Sequence, residues 1–497
     1  MGRRRDDITS EQRAQIVIEM LLTNRSWGTV TRLAKTYAIS RQTAYEIAAV
    51  GEQVLIAGMT PGAHGPVPDA QRIAVNRNRL VRSAVVLTEA GVSQRDITVC
   101  LAEMLDTKVS SSWVNAELAK VEASAARVYA RWEPTGEETL SGDVIYANGA
   151  PNLLLVGNDS LDIYALTRQP HCDGDTWGCI LLDVSPQRQF ASDGGRGLAA
   201  GAKAAEVQVH QLDWNHLLRP LWGQATRLEQ QAYAALEAFE ERAVKFDQAH
   251  RSKRLHQHLR TWERLSTAAE PPMARHAAFL HIAQQVDAQF ALIDLESGAL
   301  RDPVAGAACL RDLGRRLQAW EGRIYKKLSS SLIHWATGLF GYHTVLKQAL
   351  LPLIEQWGAA AVQALSRIWQ IEADEKRHPL PPLERQARQV VWEKSLGEAA
   401  ALLGLQQLGP AWDAVRQVLG RSWRGSMLAE CVNSLLRPVL DGRKHTDQGR
   451  LDLFRFLHNV RPFKLGKRAP HSLAHLVGLL VPNDPLTLLG LEPKVSI

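Results

Sequence analysis

The sequence predicts a multidomain α/β protein that combines N-terminal helical modules, a mixed-sheet core and a large all-helical insertion. Amphipathic helical patterns fill the first part of the chain, and short β-prone runs separated by turn signals follow Pro134. A long and almost wholly helical stretch then begins near Leu217. At 497 residues the chain is too long for one ordinary domain, so the three patterns predict separate folding units.

The charge of the chain favours a polyanionic partner more through its distribution than through its total. The formal net charge is +6, and the basic excess lies at the two ends of the chain, beginning with Arg3, Arg4 and Arg5. Five cysteines lack the paired spacing of a zinc site, and their odd number argues against a disulfide framework. Neither a signal segment nor a membrane-spanning stretch is indicated, so we expect a cytoplasmic protein.

The pattern of residues 1–56 predicts a first DNA-binding module. Residues 8–50 contain three amphipathic helices, and Ser40 can cap the third. The segment 33–45 resembles a helix-turn-helix, with a small alanine between the helices, an isoleucine in the turn and polar residues leading the second helix. That geometry would direct four side chains toward a major groove, namely Arg41, Gln42, Thr43 and Tyr45.

A linker at residues 57–71 and a second helix-turn-helix module at residues 72–132 follow. The linker is rich in Gly and Pro, which cannot continue a helix. The second module repeats the first, with Ser93 and Ser110 as helix caps. Polar residues near the start of its last helix would contact DNA, namely Ser111, Ser112 and Asn115. The alternative for either module is a plain three-helix bundle used for packing or dimerisation.

Residues 133–216 predict the first part of a mixed-sheet core. Three β-prone runs separated by turns form a meander, and helices then alternate with strands. This order is that of an RNase H-like core. The predicted strands are 143–146, 152–157, 161–166, 189–192 and 206–210, and the predicted helices are 177–182 and 197–205.

An all-helical insertion is predicted at residues 217–420, with breaks at 270–272, 302–303 and 378–382. Residues 421–497 would then be the second part of the core. The basic residues of this part favour phosphate contact, although a solvated face is the alternative. Those that we assign to DNA are Arg437, Arg443, Lys444, Lys464, Lys467 and Arg468.

Three carboxylates in separate parts of the core are the candidate catalytic residues and metal ligands. Asp193 follows a short strand and leads a glycine-rich turn into a helix. Asp143 lies in the first β-prone run, and the first and fourth strands of an RNase H-like core are neighbours. Glu430 belongs to a helix whose apolar residues Met427, Leu428, Val432 and Leu435 predict burial, where an unpaired carboxylate would be costly.

These carboxylates suit two-metal phosphoryl transfer. Phosphodiester chemistry of this kind uses two divalent cations about 4 Å apart, one at the attacking and one at the leaving oxygen. Mg²⁺ takes few carboxylates and fills its octahedron with water and substrate phosphate. We therefore expect two Mg²⁺ ions per active site, for which Mn²⁺ would substitute.

Residues 140–216 together with 427–478 resemble a DDE transposase of the bacterial insertion-sequence type, in the retroviral-integrase superfamily. The resemblance rests on the motifs around Asp143 and Asp193, on Asp213-Trp-Asn-His216, and on the helical segment that begins at Glu430. It implies that Asp143, Asp193 and Glu430 are the metal-binding triad. It also implies that Asn433 and Arg437 face DNA or support the glutamate, and that Asp213 and His216 are neighbours of the site.

The resemblance implies the partners and the reaction as well. The partners would be double-stranded transposon ends and target DNA, bound by a homodimer or higher oligomer associated with the nucleoid. The reaction would be strand cleavage followed by attack of the freed 3′-hydroxyl on target DNA. Two other functions stay open, namely a non-catalytic DNA-binding regulator derived from a transposase and a metal-dependent nuclease without joining activity.

One assignment within the site also stays open. Asp162 lies in a β-prone run and is the alternative to Asp143 as the first ligand. Asp213 offers a fourth carboxylate, which we place beside the site. The His171–Asp175 segment has metal-capable side chains, but its glycine and the lack of a second cluster favour a surface turn.

Overall fold

The computed structural model describes residues 8–23, 25, 27–59, 75–132, 137–184, 188–248, 255–377, 381–441, 446–466 and 468–493. The chain is mixed α/β and divides into two compact units, Met1–Val75 and Asn76–Ile497. Among the helices of the described ranges, none is both long and apolar enough to cross a membrane.

The described part of the first unit contains three helices with an apolar core of their own. They are α1 (Ser10–Leu22), α2 (Trp27–Thr36) and α3 (Arg41–Met59). Ser40 Oγ accepts the Thr43 N–H at 2.9 Å and caps α3, as its position in the sequence predicts. α3 continues beyond residue 50, where the sequence predicted its end. The core includes Ile16, Met20, Val30, Leu33, Ile39 and Ile47.

The second unit begins with three more helices, α4 (Arg77–Glu89), α5 (Gln94–Leu105) and α6 (Ser111–Tyr129). Ser93 Oγ accepts the Asp96 N–H at 3.2 Å and Ser110 Oγ accepts the Trp113 N–H at 3.1 Å, so both predicted caps are present. Apolar residues of the three helices are buried together, including Val85, Ile97, Leu101, Val114 and Leu118.

A five-stranded mixed sheet follows. Its strands are β1 (Thr139–Ala147), β2 (Ala150–Gly157), β3 (Ile163–Arg168), β4 (Gln189–Ser192) and β5 (Val209–Leu212). Their order across the sheet is β3-β2-β1-β4-β5. The first three strands form an antiparallel meander, and β4 runs parallel to both β1 and β5. Two helices connect the parallel strands, α7 (Gly174–Leu182) before β4 and α8 (Arg196–Ala204) before β5.

The register leaves one half of β1 without a neighbour on the β4 side. β4 pairs with β1 only along Thr139, Leu140 and Ser141, whereas β2 pairs with β1 as far as Ala147. The sheet is therefore open beside the second half of β1. The predicted strand at 206–210 was wrong in position, because Glu206 has a φ of 51° in the turn after α8 and the strand begins only at Val209.

Between the sheet and the C-terminal part, the described ranges contain seven α-helices. They are α9 (Trp214–Gln248), α10 (Leu255–Ala288), α11 (Pro303–Gln318), α12 (Arg323–Trp335), α13 (Tyr342–Trp357), α14 (Ala359–Arg377) and α15 (Pro382–Gly420). Asp302 caps α11 at the predicted break by accepting the Val304 N–H at 2.9 Å. The predicted break at 270–272 was wrong, because α10 packs along α9 and continues through Pro271 and Pro272.

The last helices are α16 (Met427–Asp441), α17 (Gln448–Val460) and the single turn α18 (Leu473–Leu476). α16 and α17 cover one face of the sheet, where Val432, Leu436 and Phe454 meet Ile145 and Leu154. α7 and α8 cover the other face. The sheet is therefore the middle of three layers, and residues of β1 can contact helices on both sides.

Candidate active site

A cavity of about 730 Å³ lies beside the unpaired half of β1. It is at the carboxyl end of β4, a position at which parallel strands commonly place their functional side chains. Its walls combine three carboxylates with aromatic and basic groups, including Asp143, Tyr146, His171, Asp173, Trp177, Asp193 and Arg196. Of this set, Asp143 and Asp193 were predicted as site residues from the sequence, whereas His171 and Asp173 were assigned to a surface turn.

Asp143 lies in the middle of β1 and is half-buried. Its Oδ1 accepts the Val144 N–H at 2.8 Å, and its Oδ2 accepts an N–H of Asn433 Nδ2 at 2.6 Å. Burial raises the pKa of Asp143 above its usual value, and the negative charges of Asp193 and Glu430 raise it further, against the opposing effect of the two hydrogen bonds. Ionisation of Asp143 beside the carboxylates of Asp193 and Glu430 is therefore disfavoured unless a cation is present.

Asp193 follows β4 and is held by its own turn. Its Oδ1 accepts the Gly195 N–H at 2.8 Å. Gly194 has a φ of 77°, which only glycine adopts without strain. Ser192 Oγ lies 2.8 Å from His210 Nε2 and accepts the Gly194 N–H at 3.2 Å. The Ser-Asp-Gly-Gly sequence is thus a short turn that directs one carboxylate into the cavity.

Glu430 lies on the first turn of α16 and is more exposed than the sequence predicted. Its side chain is 41% exposed, and its Oε1 lies 3.1 Å from His216 Nε2. Met427 and Leu435, which we expected to be buried, are 55% and 56% exposed. The buried stripe of α16 consists instead of Ala429, Val432, Asn433, Leu436, Val439 and Leu440. Glu430 is therefore at the edge of this stripe.

Asp213, His216 and Glu430 form a close group. One ligand atom from each lies within 4.8 Å of the others, and no other such group of three occurs among the residues that the structure describes. Asp143, Asp193 and Glu430 thus do not converge to that distance. Asp213 Oδ1 accepts the Asn215 N–H at 2.6 Å, and Asp213 Oδ2 accepts the Ser426 N–H and hydroxyl at 2.8 Å each.

Asp162 lies away from the cavity, in the turn before β3. Its backbone oxygen accepts the Gly157 N–H at 2.9 Å, opposite the start of β1. Burial raises the pKa of Asp162 to about 7, although the positive charge of Arg455 opposes this effect. Its environment is the interior beneath α17, and the structure does not bring it together with Asp193 or Glu430.

The polar residues predicted to contact DNA lie at the starts of two helices. In the first unit, Arg41, Gln42 and Tyr45 are exposed on α3, and Thr43 Oγ1 lies 2.8 Å from Ser40 Oγ within the cap. In the second unit, Ser111, Ser112 and Asn115 are exposed on α6. Asn115 Oδ1 accepts an N–H of Gln94 at 2.7 Å.

The basic C-terminal residues have different environments. Arg437 and Lys464 are exposed. Arg468 donates to the Asp159 carbonyl at 3.1 Å and to the Asn158 carbonyl at 3.5 Å. Asn433, which we expected to face DNA or support Glu430, is only 4% exposed and contacts Asp143 instead. The remaining predicted DNA contacts, Arg3, Arg4, Arg5, Arg443, Lys444 and Lys467, lie outside the described residues.

His171, Cys172 and Asp173 precede α7 and form one wall of the cavity, whereas Gly174 and Asp175, which we expected in a surface turn, begin the helix α7. Asp173 Oδ1 accepts the Thr176 N–H at 2.9 Å and caps α7. Tyr146 Oη lies 2.8 Å from Cys172 Sγ across the mouth of the cavity. An Asp three residues before Thr176 is a cap signal that the sequence contains, but the contact between Tyr146 and Cys172 depends on the tertiary fold.

No protein-family model and no curated protein sequence matches this chain.

Proposed function

We propose that this chain is a DDE-type polynucleotidyl transferase, a DNA transposase that binds transposon ends and catalyses metal-dependent cleavage and strand transfer. The observation that carries the proposal is the meeting of Asp143 and Asp193, which come from distant parts of the sequence, at one cavity between β1 and the end of β4. α16 packs against β1 and brings Glu430 near enough for its charge to act on Asp143. The strand order supports an RNase H-like core.

The chemistry of the donor set supports divalent cations. Asp143 and Asp193 offer the hard oxygen ligands that Mg²⁺ prefers. The raised pKa of Asp143 reflects burial and the repulsion of nearby carboxylates, both of which a cation would relieve. Asn433 Oδ1 is buried without a hydrogen-bond partner next to this carboxylate. Two bound divalent cations would supply an activated attacking oxygen and stabilisation of the leaving oxygen.

The side chains of the site have distinct proposed tasks. Asp143 and Asp193 would hold the cations from two neighbouring strands. Asn433 fixes the orientation of the Asp143 carboxylate through its 2.6 Å hydrogen bond. Glu430 would complete the set from α16, where His216 now contacts one of its oxygens.

The DNA-binding role rests on side-chain chemistry. Arg41, Gln42 and Tyr45 are exposed at the start of α3, and this arrangement supports major-groove contact by the first unit. Arg437 is exposed on the helix that carries Glu430, and Lys464 is exposed beyond α17; both suit phosphate. We extend the proposal to a homodimer or higher oligomer, because two transposon ends must be brought together.

A cleavage assay tests the proposal. The protein is incubated with Mg²⁺ and DNA that carries candidate terminal repeats, and wild type is compared with Asp193→Asn and Glu430→Gln. Each variant should cleave at least about a hundredfold more slowly, because even partners of metal ligands commonly contribute ten- to a hundredfold. Asp312→Asn is the matched control, since Asp312 is an exposed carboxylate paired with Arg316 at 3.0 Å. Cleavage that survives both site substitutions would refute the assignment.

The same assay separates the two alternative functions. Metal-dependent cleavage without any joined product would favour a nuclease. Binding to the repeats without cleavage by wild type, in Mg²⁺ or Mn²⁺, would favour a regulator. A chain without residues 1–75 should lose specificity for the repeats, and unchanged specificity would contradict the role of α3.

A further inference from the structure

We propose that Asp213 is a positioning residue that fixes the helix of Glu430 relative to the strand of Asp193. The proposal rests on the proposed function, because it assigns Asp213 a task in the same active site. Asp213 is fully buried in the one-residue connection between β5 and α9. Its contacts reach both α16 and the end of β4.

Asp213 joins three elements through four hydrogen bonds. Its backbone N–H donates to the Ser192 carbonyl at 2.9 Å, directly before Asp193. Its Oδ1 accepts the Asn215 N–H and so satisfies the start of α9. Its Oδ2 accepts both the N–H and the hydroxyl of Ser426, the residue before α16. One residue therefore connects the strand of Asp193, through its backbone N–H, with the segment that leads into the helix of Glu430, through its carboxylate.

The chain around Ser426 is fitted closely to this carboxylate. A Cβ at Gly425 would lie 2.4 Å from Asp213 Oδ1, so only glycine is compatible with the contact. The Trp214 N–H donates to the Arg424 carbonyl at 3.1 Å. The Arg424 guanidinium lies 3.6 Å from the ring centroid of Phe290 and anchors the same segment to the helical region. The start and the end of the helical region are thus held together beside Asp213.

The position of Ser426 determines the first turn of α16. The Glu430 N–H donates to the Ser426 carbonyl at 3.1 Å, so a shift of Ser426 would shift Glu430. His216 lies on the first turn of α9, which Asp213 also caps. Asp213 therefore sets the positions of both partners in the His216–Glu430 contact.

These hydrogen bonds also argue against Asp213 as a metal ligand. Three donors already occupy its two oxygens at 2.6–2.8 Å. These donors take three of the roughly four lone-pair positions of the carboxylate, so at most one position is left for a cation. The close group of Asp213, His216 and Glu430 is better explained as a hydrogen-bonded support for Glu430 than as a cation site.

The substitution Asp213→Asn tests the proposal. Asn can keep the oxygen that caps α9, but its NH₂ would face the Ser426 N–H and break the connection to α16. Asp302→Asn is the matched control, because Asp302 caps α11 by a similar bond and is far from α16 in sequence. Ser426→Ala is a milder variant that removes only the hydroxyl contact and keeps the backbone N–H contact.

Two measurements are made on the full chain. Amide hydrogen exchange without metal should be at least ~10-fold faster in residues 427–436 of Asp213→Asn than in wild type or Asp302→Asn, with Ser426→Ala intermediate. Mn²⁺ titration followed by electron paramagnetic resonance should show at least ~10-fold weaker binding in Asp213→Asn, the range expected for a partner of metal ligands.

The outcomes distinguish the two proposals. Unchanged exchange in residues 427–436 would overturn the role of Asp213 whether or not metal binds. Mn²⁺ binding by Asp213→Asn that is as tight as binding by wild type would also overturn the role of Asp213. Failure of wild type to bind Mn²⁺, with faster exchange in Asp213→Asn, would instead count against the proposed function and leave the structural connection intact.

Discussion

The two three-helix regions of this protein look alike in sequence but pack differently. Each has apolar faces of helical period and a serine cap before its last helix. α1–α3 enclose a core of their own and form a separate compact unit. α4–α6 belong to the large unit, where α6 packs along α17. Similar helical patterns therefore do not show whether a region folds by itself.

The contacts of α6 explain the difference. Glu122 and Arg450 form a buried ion pair at 2.7 Å between α6 and α17. The Trp132 ring stacks on Phe456 with centroids 6.1 Å apart. The Arg455 guanidinium lies 3.7 Å from the ring centroid of Tyr129. Charged residues buried on both helices make α6 depend on α17 for its partners.

The largest expected effect is the loss of α4–α6 structure when the chain is cut after residue 132. The fragment Met1–Val75 should unfold cooperatively, because its core is internal. The fragment 1–132 should show the same transition without a second one, since α6 would leave its charged and apolar groups exposed. Circular dichroism melts and amide NMR dispersion measure both. A cooperative transition of residues 76–132 alone would show that α4–α6 fold without α17.

The next effect is expected from Arg450→Met. This change leaves Glu122 buried without its cation, and breaking a buried pair in this way costs about 3–5 kcal/mol. Arg316→Met removes an exposed pair with Asp312 and should cost at most about 1 kcal/mol. Chemical denaturation of Asn76–Ile497 measures the free energies of unfolding. Equal effects of the two substitutions would show that α6 does not depend on α17 for its stability.

The features that depend on short-range interactions were predicted well. Ser40, Ser93 and Ser110 each cap a helix through an N–H three residues later, so the local sequence contains the whole interaction. The strand at 189–192 and the glycine-rich turn after it occur where they were predicted, and Gly194 supplies the positive φ of that turn. The five strands were likewise predicted from local signals, whereas the parallel pairing of β1 with β4 joins residues that are distant in the chain.

The features that depend on distant partners were not predicted. Ser426 became visible as a partner of Asp213 only in the folded chain, because the two residues are separated by the whole helical region. The predicted buried face of α16 was wrong. Met427 and Leu435 were assigned to that face, whereas the stripe through Ala429, Val432 and Leu436 contacts the sheet. Asp143 and Asp193 share one cavity, whereas Glu430 lies in a close group with Asp213 and His216, so binding of one metal pair by all three predicted ligands stays a prediction.

The smallest effect is expected from Asp162, which lies beneath the contact between α6 and α17. Burial raises its pKa to about 7, Arg455 opposes this shift and Glu137 adds to it. The folded chain therefore holds a proton that the unfolded chain releases near pH 4, and this contribution to stability is lost as the pH rises toward 8. The full difference is on the order of 2–4 kcal/mol.

Asp162→Asn should remove this pH dependence. Relative to wild type, the variant should become more stable as the pH rises from 4 to 8. The stability of the fragment Met1–Val75, which lacks Asp162, should show no corresponding pH dependence. Asp294→Asn is a control of opposite sign, because hydrogen bonds from Ser297 lower the pKa of Asp294 and its stabilisation is lost as the pH falls. Denaturation of Asn76–Ile497 at several pH values measures both. Parallel pH profiles for wild type and Asp162→Asn would mean that Asp162 does not titrate in the folded interior, and the dependence of α6 on α17 would then have to rest on the Glu122–Arg450 pair and the aromatic contacts.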